Sequence, residues 1–99
     1  MSIIKRKTRK PSTRSEKFVT ARSFDAEKIR NDLLYDAKVI GIPDGAAETI
    51  AEKVTEKVRL WVIARPTVTS DDLNRKIATE AKRYNTDLAY VYRNRGKII

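Results

Sequence analysis

The sequence predicts an α+β fold that is mostly α: a four-helix bundle covered by a small N-terminal β-hairpin or three-stranded sheet. Apolar residues recur at helical spacing in four successive segments between Ala26 and Arg93. β-branched and aromatic residues cluster earlier, at Ile3-Ile4 and at Phe18-Val19-Thr20. Charge divides the chain at the same place. Residues 1–22 hold eight Lys or Arg against Glu16 alone, a local charge of +7 out of the net +9. The body from 23 to 99 is therefore nearly balanced, and the positive field belongs to the arm.

Ninety-nine residues make one domain, with 1–22 a basic arm of the same unit and 23–99 the helical body. Without cysteine there is neither a disulfide framework nor a thiolate metal site, and without histidine zinc binding and His-based acid–base chemistry are not expected. No apolar run approaches the ~20 residues of a membrane span. The basic N-terminus lacks an apolar signal core, so a cytoplasmic protein is expected.

Ser2–Thr8 suits a short edge strand, and Arg9–Lys17, with Pro11 and several small polar residues, reads as a turn. Phe18–Arg22 would return as the second strand of a ribbon that must lie on the helices. Asp25 is placed to cap the first helix, with Phe24 before it as half of a hydrophobic staple. That helix runs over about 26–39, burying Ile29, Leu33, Leu34, Ala37 and Ile40, with Lys28 and Asp32 on its solvated side and Gly41 as its stop. Asp44 is expected to cap the second helix, whose stripe includes Ala46, Ala47, Ala51, Val54, Val58, Trp61 and Val62, and Pro66 ends it. Val68 reads as extended. Thr69 and Asp72 fit a capping box for the third helix, which carries Leu73, Ile77 and Ala81 on one face. A short fourth helix spans Thr86–Arg93 with Leu88, Val91 and Tyr92, and Gly96 is its stop.

No Gly-rich phosphate loop, metalloprotease helix motif or nucleophile triad is present. The neighbouring carboxylates Asp71 and Asp72 point apart on a helix, so the chain is not expected to be an enzyme. The segment Ser23–Ile29 is the place for an anion, because a helix N-terminus there meets the basic arm.

The order and spacing of several segments resemble the ATP-cone, the nucleotide-binding regulatory domain found at the front of ribonucleotide reductases and in some of their transcriptional repressors. They are Ile3-Ile4-Lys5-Arg6, Ser23–Ile29, Ala47–Val58, Val68–Leu73 and Leu88–Arg93. The resemblance implies ATP or dATP held between strand and helices, with any Mg2+ carried by the nucleotide and no protein metal site. It assigns Lys5, Arg6 and Lys28 to the phosphates, Asp25 to the base, Thr69 and Asn74 to base or sugar, and Arg93 to phosphate. The chain departs from the family at Lys7-Thr8-Arg9, where a tight Asp-Gly turn and a short return strand are usual.

Two functions follow as expectations. The first is a stand-alone ATP-cone-like regulatory module acting on a protein partner or a second copy, with no membrane involvement. The alternative is a small basic nucleic-acid-binding protein that uses Lys7, Arg9, Lys10, Arg14 and Lys17, with the cone-like fold only as scaffold. Such binding would be sequence-independent and salt-sensitive. Trp61, Tyr84, Tyr90 and Tyr92 are expected first as core or boundary aromatics, with base stacking the lesser role.

Overall fold

Ile29, Leu33 and Ala37 lie one helical turn apart, so burying them in one core fixes the face of the first helix, α1, over Ala26–Val39. The structure, a computed structural model, describes residues 18–95. The expected strand at Ser2–Thr8, the turn that follows it, the Gly96 stop and the tail fall outside those residues. The other helices are α2 (Asp44–Ile63), α3 (Ser70–Lys82) and α4 (Thr86–Arg93). The helices pack α1 on α2, α2 on α3, α3 on α4 and α4 back on α1, so the bundle closes on itself. Its centre is small and branched: Leu33, Val54, Val58, Val62, Ile77, Ala81 and Leu88 are almost fully buried. The α+β, mostly α architecture is thus the one the sequence pattern predicts.

Local chemistry explains most of the boundaries. Asp25 caps α1 by accepting a hydrogen bond from the Lys28 amide at 3.0 Å. Phe24 packs against the buried cluster that includes Ile29. At the other end Gly41 takes φ +85°, and the Ile42 and Gly41 amides donate to the carbonyls of Ala37 and Lys38. That is a Schellman closure, and it needs a residue tolerant of the left-handed region. Thr69 caps α3 by accepting from the Asp72 amide at 3.0 Å, while the Asp72 carboxylate turns to Arg75. Asn85 caps α4 through the Leu88 amide, a signal the sequence reading passed over.

Two expectations are corrected. Asp44 is not a cap: Pro43 holds the N-cap position of α2 with no side-chain hydrogen bond, and Asp44 is the first helical residue. Its carboxylate still sits in the first turn, where a negative charge suits the helix dipole. The strand expected over Phe18–Arg22 shortens to β1, Phe18–Val19, because Thr20 and Ser23 bond to each other and turn the chain into α1. The described partner of β1 is β2, Val68–Thr69, paired antiparallel as Phe18 with Thr69 and Val19 with Val68. The arm is therefore joined to the body across the α2–α3 connection, and a Thr67 hydroxyl donates to the Val19 carbonyl at 3.3 Å.

Among the described residues, the Thr55 hydroxyl oxygen on α2 is buried with no hydrogen-bond partner. An unpaired buried hydroxyl costs free energy that a methyl group of the same shape does not. Thr55→Val should therefore stabilise the protein by about 1 kcal/mol in a urea titration, with an unchanged m-value.

Candidate functional site

Four elements meet beside the start of α1. The cap and first two turns of α1 supply Asp25, Lys28 and Asp32; the first turns of α3 supply Asp71, Asn74 and Arg75; the end of α4 and the residues after it supply Tyr92, Arg93 and Arg95. The strand β1 adds Val19. Lys28, Asn74 and Arg93, assigned from separate stretches of sequence, line one cleft of about 400 Å3. A narrower slot of about 180 Å3 adjoins it and shares Lys28, Asp32, Asn74 and Tyr92. Asp25 lines this slot, whose walls are apolar: Val19, Ile29, Leu73 and Ile77.

The larger cleft is lined by four cations and two carboxylates, so its net charge is positive. Those charges are not equivalent. Lys28 reaches Asp32 at 2.9 Å, but its side chain remains 68% exposed. Arg75 is held loosely, 3.5 Å from Asp71 and 3.4 Å from Asp72. Arg93 has no ion pair among the described residues. Arg95 is fixed: its Nε donates to the Asp36 carboxylate at 2.8 Å, and its Nη1 lies 3.6 Å from Asp32. The bond to Asp36 holds the Arg95 guanidinium pKa above its ordinary value.

Of the residues assigned from sequence, Asp25, Lys28, Asn74 and Arg93 are therefore brought together. Thr69 is not: it lines neither cavity, and its hydroxyl is engaged in capping α3. Lys5, Arg6, Lys7, Arg9, Lys10, Arg14 and Lys17 lie outside the described residues. The sequence reading missed Asp36 and Arg95, and it assigned Asp32 only to a solvated face. A signal for Asp36 was present. It falls on the apolar stripe of α1, three residues after Leu33, and is only 3% exposed, so it required a cation. Glu80 on α3 repeats the pattern, buried and bridged by Lys76 and Arg83.

No protein family, curated protein or solved structure matches the chain. Among the described residues there is no group of three or more acids that could hold a metal ion, and no helix long and apolar enough to cross a membrane.

Two outcomes test this geometry. Arg95→Ala strands a buried carboxylate, and because Arg95 is partly exposed the loss should be on the order of 2 kcal/mol of stability by urea titration. Asp36→Asn in the Arg95→Ala background should recover much of it. Tyr92 lies at the back of the cleft, and burial, with Asp32 second, pushes its hydroxyl pKa up to about 12. An unfolded tyrosine loses its proton near 10, so this stabilisation is complete below about pH 10 and disappears as pH rises towards 12. Between those values the wild type should lose on the order of 2 kcal/mol more than Tyr92→Phe.

Proposed function

We propose that the chain binds an adenine nucleotide, ATP or dATP, and acts as a regulatory module by changing its association with a protein partner or a second copy. The observation that carries this reading is the convergence of Lys28, Asn74 and Arg93 on one net-positive cleft continuous with an apolar slot. A polyphosphate is the anion such a cleft suits, because Lys28, Arg75 and Arg93 approach from three helices and can bond different phosphate oxygens. The apolar slot accepts a flat base, with the exposed Asp25 carboxylate and the Asn74 amide at its edge. A total cavity of this size falls within the roughly 300–1,000 Å3 usual for small-molecule sites.

The choice of adenine comes from the likeness to ATP-cones at Ser23–Ile29 and Leu88–Arg93, and from Lys5-Arg6, which that likeness assigns to the phosphates. Binding is the whole chemistry in this reading. No hydrolysis is proposed, and Mg2+ would arrive with the nucleotide.

Titration of the intact chain with ATP, dATP and tripolyphosphate at about 150 mM salt, followed by amide chemical shifts, tests it. Saturable nucleotide binding should shift residues around Asp25, Lys28, Asn74 and Arg93, with a much weaker response to tripolyphosphate. Lys28→Gln and Arg93→Gln should each weaken ATP binding about tenfold, the loss expected for one charge-assisted hydrogen bond. Lys5→Ala and Arg6→Ala should act in the same direction. Unchanged affinity in the Lys28 and Arg93 variants would remove the cleft from the reading, and equal binding of all three ligands would remove the base slot.

A further inference from the structure

On the outer side of the α3–α4 pair runs an open groove of about 440 Å3. Its floor is small, formed by Ala78 and Ala89, buried alanines at the edge of the α3 and α4 core faces. Tyr90 stands on its wall with 70% of its surface exposed, the largest exposure of any large apolar or aromatic side chain among the described residues. Lys82 and Arg93 flank it, and Thr79, Thr86 and Asn94 supply polar groups. No acid lines the groove.

The two cations differ from most of their neighbours. Arg75 and Lys76 on α3 and Arg83 just after it each have a carboxylate within reach, but among the described residues neither Lys82 nor Arg93 has an ion pair. Tyr90 therefore sits in a groove whose positive charges are not neutralised by the protein itself. An occupant must be negatively charged, must be able to cover a tyrosine ring, and needs no deep apolar pocket.

We propose that this groove binds a single-stranded nucleic acid, with a base stacked on Tyr90 and the flanking phosphates on Lys82 and Arg93. Stacking on an exposed aromatic ring is sequence-tolerant because every base offers a flat face, and paired cations beside the ring follow the backbone. The groove fits an acidic peptide less well. Helix-in-groove recognition needs pockets for bulky apolar anchors, and here the apolar floor is two alanines. The proposal rests on the groove residues alone and draws on none of the basic N-terminal residues. It also does not depend on the nucleotide reading. Arg93 alone faces both cavities, so it is left unchanged in the test.

Fluorescence anisotropy of the full chain with labelled oligothymidylate and oligouridylate of about ten nucleotides measures the binding, since single-strand sites span roughly that length. Tyr90→Ala should weaken both about tenfold, the loss of one base–aromatic stack, while Tyr90→Phe retains the affinity. Lys82→Gln should flatten the slope of log affinity against log salt by about 0.7, one phosphate contact on a single strand. The arm is present in every variant and cancels from these ratios. ATP titration of Tyr90→Ala should match the wild type, so failure of the nucleotide reading and failure of this one are separately visible. Equal oligonucleotide affinity in wild type and Tyr90→Ala overturns the proposal, as does absence of binding to the wild type. An oligoglutamate peptide that binds as tightly with the same dependence on Tyr90 would overturn it in favour of an acidic protein partner.

Discussion

The bond between Arg95 and Asp36 is the constraint on which the cleft depends. Asp36 is buried in the α1 face that packs into the bundle, where a lone carboxylate would be costly. Arg95 reaches it from just past the end of α4, and so ties the last described residues to the last turn of the first helix. Tyr92, one turn earlier, is buried in the same joint, and the Arg95 guanidinium lies 5.8 Å from its ring centre. α4 is only eight residues long, and the tie adds to the anchoring by its buried Leu88, Ala89 and Tyr92. The position of Arg93, and with it the far wall of the cleft, follows from a contact that Arg93 does not make.

The same tie sorts the cations of the cleft into fixed and exchangeable ones. Arg95 is committed to a buried partner and cannot turn to a ligand without leaving Asp36 bare. Lys28 is largely exposed, and an exposed ion pair such as Lys28–Asp32 is worth about 0–1 kcal/mol. Exchanging Asp32 for a phosphate oxygen therefore costs Lys28 little, and Asp32 then remains beside Arg95. The looser contacts of Arg75 with Asp71 and Asp72 permit the same exchange. The carboxylates thus moderate the positive field of the cleft.

Much of this was legible in the sequence because it is written locally. The caps of α1 and α3, the glycine closure after α1 and the periodic stripes each depend on residues within one or two turns of each other. The convergence of Lys28, Asn74 and Arg93 on one cleft was not legible locally, since nothing in the chain's local pattern joins α1 to α4. What was lost is non-local or competitive. Pairing of Val19 with Val68 spans the first two helices, and the sequence reading looked for a partner nearby in the arm. Asp44 has the residue type of a cap, but Pro43, with its fixed φ, occupies that position in extended geometry and moves Asp44 into the first turn. The Arg95–Asp36 bond joins positions fifty-nine residues apart, so only the anomaly of an acid on an apolar stripe pointed to it.

Charge on the helical body is best understood by what each cation is already doing. Arg65 covers the Trp61 ring at 4.4 Å and donates to the Trp61 carbonyl, so it closes the end of α2. Lys76 and Arg83 neutralise the buried Glu80, and Arg59 pairs with Glu56 on the exposed face of α2. Of these, Lys76, Arg83 and Arg59 are neutralised by carboxylates, while Arg65 keeps its charge against the Trp61 ring. Lys82 and Arg93 are among the described cations without an ion pair, one at the end of α3 and one at the end of α4, both close to helix C-termini where a cation is favoured by the dipole. That preference explains why two cations can stand there without acidic partners, and why they end up on the same side: α3 and α4 are joined by a turn at Arg83–Asn85, and the groove between them draws on the last turn of each. Tyr90 is exposed in that same groove for a related reason, because the α4 stripe of Leu88, Ala89 and Tyr92 leaves position 90 on the outer face. The fold itself places the ring and its two cations on one groove, with none of them in an ion pair among the described residues or in the buried core.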